Sequence, residues 1–183
     1  MFEILYSKFE FLYAMVVQSS QILMNISGII SAILTEKIKA QGDQQYRKTN
    51  VQADMTKWTM FNDPDFQKII DFAIDVIKGG LVSIPTGKFF ATDCWGACYK
   101  KGDSCNAHAH HPAIWSFVYY VDAEPNDAPL VFPTSQNAIY PNSGLMIVFP
   151  GWVTHSVPAQ ENDKERIVIA GNISIDRQQA TSV

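Results

Sequence analysis

Hydrophobic residues recur along this chain with two different periods, and the change falls near residue 84. In the first half the period is helical. Ile26, Ile29, Ile30, Ile33 and Leu34 share one face, which predicts a helix over Ile26 to Lys39, after one or two short apolar segments. "KAQGDQQYRKTN" (residues 39–50) is polar throughout and reads as a loop. A second helix is marked at both ends. Asp63 suits its N-cap and Pro64 its first turn, Phe66, Ile69, Ile70, Ala73 and Ile77 form its apolar stripe, and Gly79 and Gly80 end it.

After Ile84 short apolar and aromatic runs alternate with Gly, Pro, Asn and Asp breaks. Strands are expected at "KFFATDCWGACYK", "AIWSFVYYV", "APLVF", "GLMIVFP" and "RIVIAGNISI". Several strands at this spacing, preceded by helices, predict a mostly β protein with N-terminal helices. The expected form is a sandwich or jelly roll with a helical layer on one side. At 183 residues the chain suits a single domain, 1–183. Residues 1–80 are expected as a helical and apolar extension packing on the sheet, and residues 81–183 as the jelly-roll core. No repeat, low-complexity tract or phosphate-binding glycine loop interrupts this reading.

Composition narrows the partners. A net charge of −4 and a pI near 5.5 argue against a nucleic-acid-binding surface. The oily stretch "FLYAMVVQSSQILMNISGIISAIL" is broken by Gln18, Ser19, Ser20, Gln21, Asn25 and Ser27, short of the roughly 18 apolar residues of a membrane span. It also lacks the basic leader and cleavage site of a signal peptide. Cys94, Cys98 and Cys105 form no zinc-type pair and are expected as reduced thiols. The protein is therefore expected in the cytoplasm, or in the host cytoplasm if phage-encoded. The oily N-terminal segment could cover a second copy, so a homodimer is considered.

The candidate chemistry begins with the histidines. Three of four lie in "HAHH", at His108, His110 and His111. In a strand, residues i and i+2 point to one face, so His108 and His110 would stand side by side and His111 would face away. Such a pair can grip one metal, or it can be two polar loop residues. His155 follows the strand "GLMIVFPGW" and is expected at a strand end, where a sandwich opens. Arg166 comes after ten further residues and begins "RIVIAGNI", where Arg166, Val168, Ala170 and Asn172 share a face. An inward arginine needs an anion, and a carboxylate ligand would match its two-pronged guanidinium. The alternative is an arginine at a strand edge in water.

Taken together, Trp95 and Tyr99 before "KKGD", then "HAHHP", "WSFVYY", "FPGWVTH" and "RIVIAGN", resemble the iron(II)- and 2-oxoglutarate-dependent dioxygenases. The resemblance covers residues 49–175 and is closest to a small branch of marine bacteria and phages. It implies the double-stranded β-helix fold, related to the cupins, with iron(II), 2-oxoglutarate and O₂ as cofactor and cosubstrates. It further implies hydroxylation of a small-molecule or peptide substrate with release of succinate and CO₂. On this resemblance His108 and His155 are iron ligands, and His110 stands where the wider superfamily has an aspartate or glutamate. Arg166 would hold the far carboxylate of 2-oxoglutarate, with Tyr99, Ser116 and Tyr120 beside it. Trp95, Trp115 and Trp152 are further pocket walls. Two departures stand out: His110 in place of a carboxylate, and Val168 where the family usually has serine.

Two other readings use the same residues. A three-histidine, cupin-type dioxygenase would use His108, His110 and His155 without 2-oxoglutarate. A non-catalytic binding or structural module would hold no metal. The direction of Arg166 separates the first two, and metal content separates the third.

Overall fold

The alternating stretches after residue 84 form strands, and the parity of their residues sorts side chains into two separate cores. The computed structural model describes residues 4–9, 12–18, 21–42, 49–81 and 85–176. The strands are β1 (Ile4–Phe9), β2 (Leu12–Gln18), β3 (Val51–Gln52), β4 (Asp54–Met55), β5 (Lys88–Tyr99) and β6 (Ser104–His108). They continue with β7 (Trp115–Asp122), β8 (Leu130–Phe132), β9 (Asn137–Ile139), β10 (Leu145–Pro150), β11 (His155–Val157) and β12 (Arg166–Asp176). The helices are α1 (Gln21–Gln41) and α2 (Pro64–Gly80).

Seven strands make one sheet in the order β1-β2-β10-β7-β12-β5-β4, and five make the other in the order β3-β6-β11-β8-β9. The neighbouring pairs within both sheets are antiparallel, as expected for a jelly roll. Four strands come from before residue 80, so that region supplies sheet edges as well as helices. Among the described residues no helix is long and apolar enough to cross a membrane.

On β7 the odd residues Phe117, Tyr119 and Val121 join the core under the helices, while Tyr120 joins the core between the sheets. On β12 Ile167, Ile169 and Ile173 face the helices and Val168 faces the sandwich. Strand geometry allows only these two directions. Both cores are thus built from the same central strands. Each fully buried Phe or Ile contributes about 1.5–3 kcal/mol through apolar area withdrawn from water.

The helices form much as their patterns predict. Asp63 caps α2 by accepting from the Asp65 amide at 2.9 Å, and Pro64 opens its first turn. Phe66, Ile69, Ile70, Ala73 and Ile77 are all buried. Lys37 of α1 pairs with both Asp63 and Asp65, tying the end of one helix to the start of the next. α1 is longer than expected, and its buried ridge is different. Leu34 and Ile38 are fully buried and Ile30 packs against the core, but Ile29 is 69% exposed and Ile33 is 40% exposed. The apolar arc of α1 is wider than the strip of sheet it touches, so only the i, i+4, i+8 ridge is covered.

That ridge comes unusually close to the sheet at Gly96 of β5. A Cβ on Gly96 would collide with the Ile38 side chain, so the helix can lie here only against glycine. Gly96→Val should therefore lower unfolding stability by about 1–3 kcal/mol through overpacking. Urea denaturation of Gly96→Val, Ile38→Ala and the double variant measures it. The two changes should be less costly together than the sum of each alone, because the smaller side chain makes room for the larger.

Candidate metal and anion site

Three histidines, two from strands and one from a loop, meet at the open end of the sandwich. His108 is the last residue of β6 and His155 the first of β11, and they are directly paired across the ladder. His110 lies just beyond the end of β6. Its backbone amide donates to Gly151 O at 2.7 Å, and the Gly151 amide donates to Ile114 O at 2.9 Å. Those two bonds strap the histidine loop to the turn that carries the chain from β10 to β11. Gly151 is required there, since a Cβ would run into the Ala113 carbonyl.

The result is a compact cluster. Ring centroids are 4.6 Å apart for His108 and His110, 4.4 Å for His108 and His155, and 5.1 Å for His110 and His155. One nitrogen from each ring lies within 4.8 Å of the others. Ligands of one ion stand roughly 3–4 Å apart, a difference that small ring rotations close. His111 is exposed and outside the cluster, but it and His110 lie past the end of β6, so the turn there, and not the strand alternation expected from the sequence, separates them.

Hydrogen bonds select the atoms on offer. His108 Nδ1 lies 2.8 Å from Asn106 O, and His155 Nδ1 lies 3.0 Å from Val153 O. A carbonyl only accepts, so both Nδ1 atoms carry the proton and both Nε2 atoms keep a lone pair. His110 Nδ1 instead faces the Asn172 side chain, 3.3 Å from Nδ2. Asn172 is fixed in turn, accepting from Ser116 Oγ at 2.7 Å and donating to Asp93 Oδ1 at 2.6 Å. Burial holds all three rings neutral. It pushes His110 down to about 3 and His155 down to about 4, and lowers His108 as well. His108 and His155 thus keep Nε2 lone pairs that suit a divalent transition metal, while His110, which accepts from the Asn172 amide at Nδ1, carries its proton on Nε2 and would join them as a ligand only on a change of that contact.

The same cavity reaches Arg166, which is 1% exposed. One guanidinium nitrogen donates to Ala128 O, the guanidinium carbon lies 4.2 Å from the centre of the Tyr99 ring, and Nε has no hydrogen-bond partner among the described residues. A carbonyl and a ring carry no net charge, so the buried cation is solvated only in part. An orphaned buried donor of this kind is costly unless an anion completes it. Tyr99 and Tyr120 also line the cavity, and burial raises both hydroxyls, Tyr120 to about 12.

Not every expected wall faces the cavity. Ser116 lines it, but its hydroxyl is committed to Asn172 at the His110 side. Trp95 does line it, 6.0 Å from His110. Trp115 is on the other face of β7, stacked on Phe89 beneath the helices. Trp152 is 58% exposed in the turn after β10. Sequence reasoning passed over Asp93 and Trp58. Asp93 lies two residues before Trp95, on the same strand, and strand alternation pointed to it. Trp58 packs edge-on against Trp95 at 4.5 Å and borders the outer grooves beside His110.

The depressed histidines give the metal-free protein a definite pH dependence. Unfolded histidine titrates near 6.5, and the folded rings only well below it, so between these values the unfolded state binds more protons. This contribution to stability is full above about pH 6.5 and is lost as pH falls toward about 4. Thermal melts of chelator-treated protein should show Tm dropping across that window, with a shallower drop in His110→Gln.

No family model matches the chain, and no curated protein matches it. Solved structures share its fold. The viral collagen prolyl hydroxylase vCPH from Paramecium Bursaria Chlorella virus-1, in its 2OG complex, is 16% identical with a TM-score of 0.66, covering 91% of this chain and 96% of that one. A Pseudomonas putida prolyl-4-hydroxylase is 17% identical with a TM-score of 0.63, covering 88% and 92%. HygX from Streptomyces hygroscopicus, with nickel and 2-oxoglutarate bound, is 9% identical with a TM-score of 0.58, covering 88% and 82%. The chain thus has the double-stranded β-helix fold of these structures, over most of its length.

Proposed function

We propose that this protein is an iron(II)- and 2-oxoglutarate-dependent oxygenase that hydroxylates its substrate and releases succinate and CO₂. The observation that carries the reading is the buried, half-partnered Arg166 in the same cavity as the three-histidine cluster. A metal site alone would equally suit a three-histidine dioxygenase. A guanidinium with an orphaned Nε favours a ligand with one end on the metal and a carboxylate at the other. The shared fold with 2-oxoglutarate complexes supports the same assignment.

In this reading His108 and His155 would hold iron(II) through Nε2, and His110 would be the third ligand once its contact with Asn172 changes so that the ring presents a lone pair. Iron with its keto acid supplies the activation of O₂. The protein's part is to orient and to exclude water. Arg166 anchors the distal carboxylate by charge-assisted hydrogen bonds, and the Tyr99 ring supports the guanidinium from its face. Val168, Ala170 and Phe149 keep the cavity dry. Substrate approaches His110 along the grooves bordered by Trp58, whose walls include Asn50, Gln52 and Asn106 on one side and Asp93 on the other.

Titrating 2-oxoglutarate into the anaerobic iron(II) protein, followed by the metal-to-ligand charge-transfer band, tests the assignment. Truncating one partner of a desolvated charge pair costs about 2–5 kcal/mol, so Arg166→Ala should weaken binding by about one to three orders of magnitude. Iron should still bind, and Arg166→Lys should recover only part of the loss. Identical curves for wild type and Arg166→Ala would turn the reading toward an enzyme that uses no keto acid.

A second prediction separates the histidines. His110→Asp places a carboxylate in the ligand set and should retain or tighten iron, whereas His111→Ala should leave iron affinity as it is. Competition with a chelating dye measures both. Loss of metal in His111→Ala would show that the ligand has been misassigned.

A further inference from the structure

Arg166 is held by the Ala128 carbonyl, and the segment bearing that carbonyl is itself gripped by a buried clip. Gln160, 1% exposed, sits in the loop between β11 and β12. Its side-chain oxygen accepts from the Ala128 amide at 2.9 Å, and its side-chain nitrogen donates to Asp127. Its backbone is tied as well: the Gln160 amide donates to Asp103 O at 2.8 Å, and the Gly102 amide donates to Gln160 O at 2.8 Å. One residue therefore joins the turn after β5, the loop before β8 and its own loop.

Asp127 is also 1% exposed, and it is the residue before the one that Arg166 bonds. A buried carboxylate next in the chain to the carbonyl that holds a buried guanidinium is a natural partner for it. Here it does not, because its oxygens are already occupied. One accepts from Gln160 and from Asn162 at 2.9 Å, the other from the Glu124 amide at 2.7 Å. Both charges still act on the same hydroxyl: beyond the dominant effect of burial, Arg166 lowers the pKa of Tyr120 and Asp127 raises it.

We infer that the Gln160 clip is a positioning device that holds Asp127 away from Arg166 and keeps the guanidinium open to an incoming dicarboxylate. The clip acts on two partners at once. It fixes the Ala128 carbonyl, which sets where the guanidinium lies. Together with Asn162 and the Glu124 amide, it also occupies the buried carboxylate of that loop, which would otherwise close onto Nε. The inference rests on the proposed role of Arg166 in binding 2-oxoglutarate.

The experiment compares wild type, Gln160→Met, and Gln160→Met with Asp127→Asn. Methionine keeps the volume of Gln160 but makes neither side-chain hydrogen bond. Released Asp127 then competes for Arg166. The single variant should bind 2-oxoglutarate about ten- to a hundredfold more weakly in the anaerobic titration, the scale of a hydrogen bond to a charged group. Its iron affinity should match wild type. Adding Asp127→Asn removes the competing charge and should recover most of the loss, which no purely structural role would produce.

A second readout needs no ligand. The Arg166 Nε–H resonance in a ¹⁵N spectrum, assigned by its disappearance in Arg166→Lys, should shift and exchange more slowly in Gln160→Met and return in the double variant. Failure of wild type to bind 2-oxoglutarate would defeat the cosubstrate assignment, and the Nε–H resonance would still decide the clip. An unmoved resonance in Gln160→Met, or a double variant as weak as the single, would overturn the clip. Should Gln160→Met not fold, Asn162→Ala removes another donor to the same Asp127 oxygen and takes its place in both measurements.

Discussion

A side chain on a β-strand can point to one of two faces, and the central strands of this protein use both faces fully. β5, β7, β10 and β12 each carry one set of residues toward the helices and another toward the second sheet. Over the middle of these strands both faces are covered, so a polar residue there, or on a segment packed against them, must find its partner inside. That constraint explains why so few polar groups occur there and why those present are committed. Thr56, Ser116, Asn172, His155 and Arg166 are all buried. Thr56 takes the Gly96 amide, Ser116 and Asn172 take each other, and the histidine takes a backbone carbonyl. Arg166 alone retains a buried side-chain atom with no partner among the described residues. A structure that satisfies its buried polar groups this thoroughly draws attention to the one it leaves open.

The histidine cluster depends on the same sheets at their rim. His108 and His155 are cross-strand neighbours, so one ladder pair fixes their separation. His110 is beyond the ladder and needs a different restraint, which the backbone bond to Gly151 and the side-chain contact with Asn172 provide. Asn172 is on β12, six residues along from Arg166 and on the same face. A single strand thereby orients both the histidine end and the arginine end of the cavity.

Much of this arrangement was legible in the chain. The long strands, the second helix and the convergence of His108, His110 and His155 follow from period and motif. Two failures have a common origin. Trp115 and Ser116 are adjacent on one strand, so their side chains point to opposite faces, and parity alone would have turned the Trp115 ring away from the cavity. Trp152 follows Pro150, where the strand ends and parity no longer applies. Ile29 and Ile33 fail for a different reason: helical spacing shows which residues share a face, but not how wide a strip of sheet will cover it. The partners of the Gln160 clip were not legible at all. They lie on two other loops, and no periodicity links a loop residue to its neighbour in space.

On the proposed reading, charge makes sense of the unusual ligand set. Three neutral imidazoles contribute nothing to offset the two positive charges of iron(II), and Arg166 adds a third positive charge to the same cavity. An aspartate at position 110 would remove one of these. With histidine there, the protein holds the metal mainly by the softer donation of nitrogen lone pairs, and leaves more of the ion's charge for the next ligand. 2-Oxoglutarate brings two negative charges, one for each end of the cavity. Metal and keto acid then favour one another's binding, and by linkage the coupling is equal in both directions. Replacing the carboxylate ligand with histidine thus shifts electrostatic work from the protein to the cosubstrate. The clip that holds Asp127 away from Arg166 belongs to the same economy of charge, since a carboxylate reaching the guanidinium would restore at one end the compensation that His110 has removed at the other.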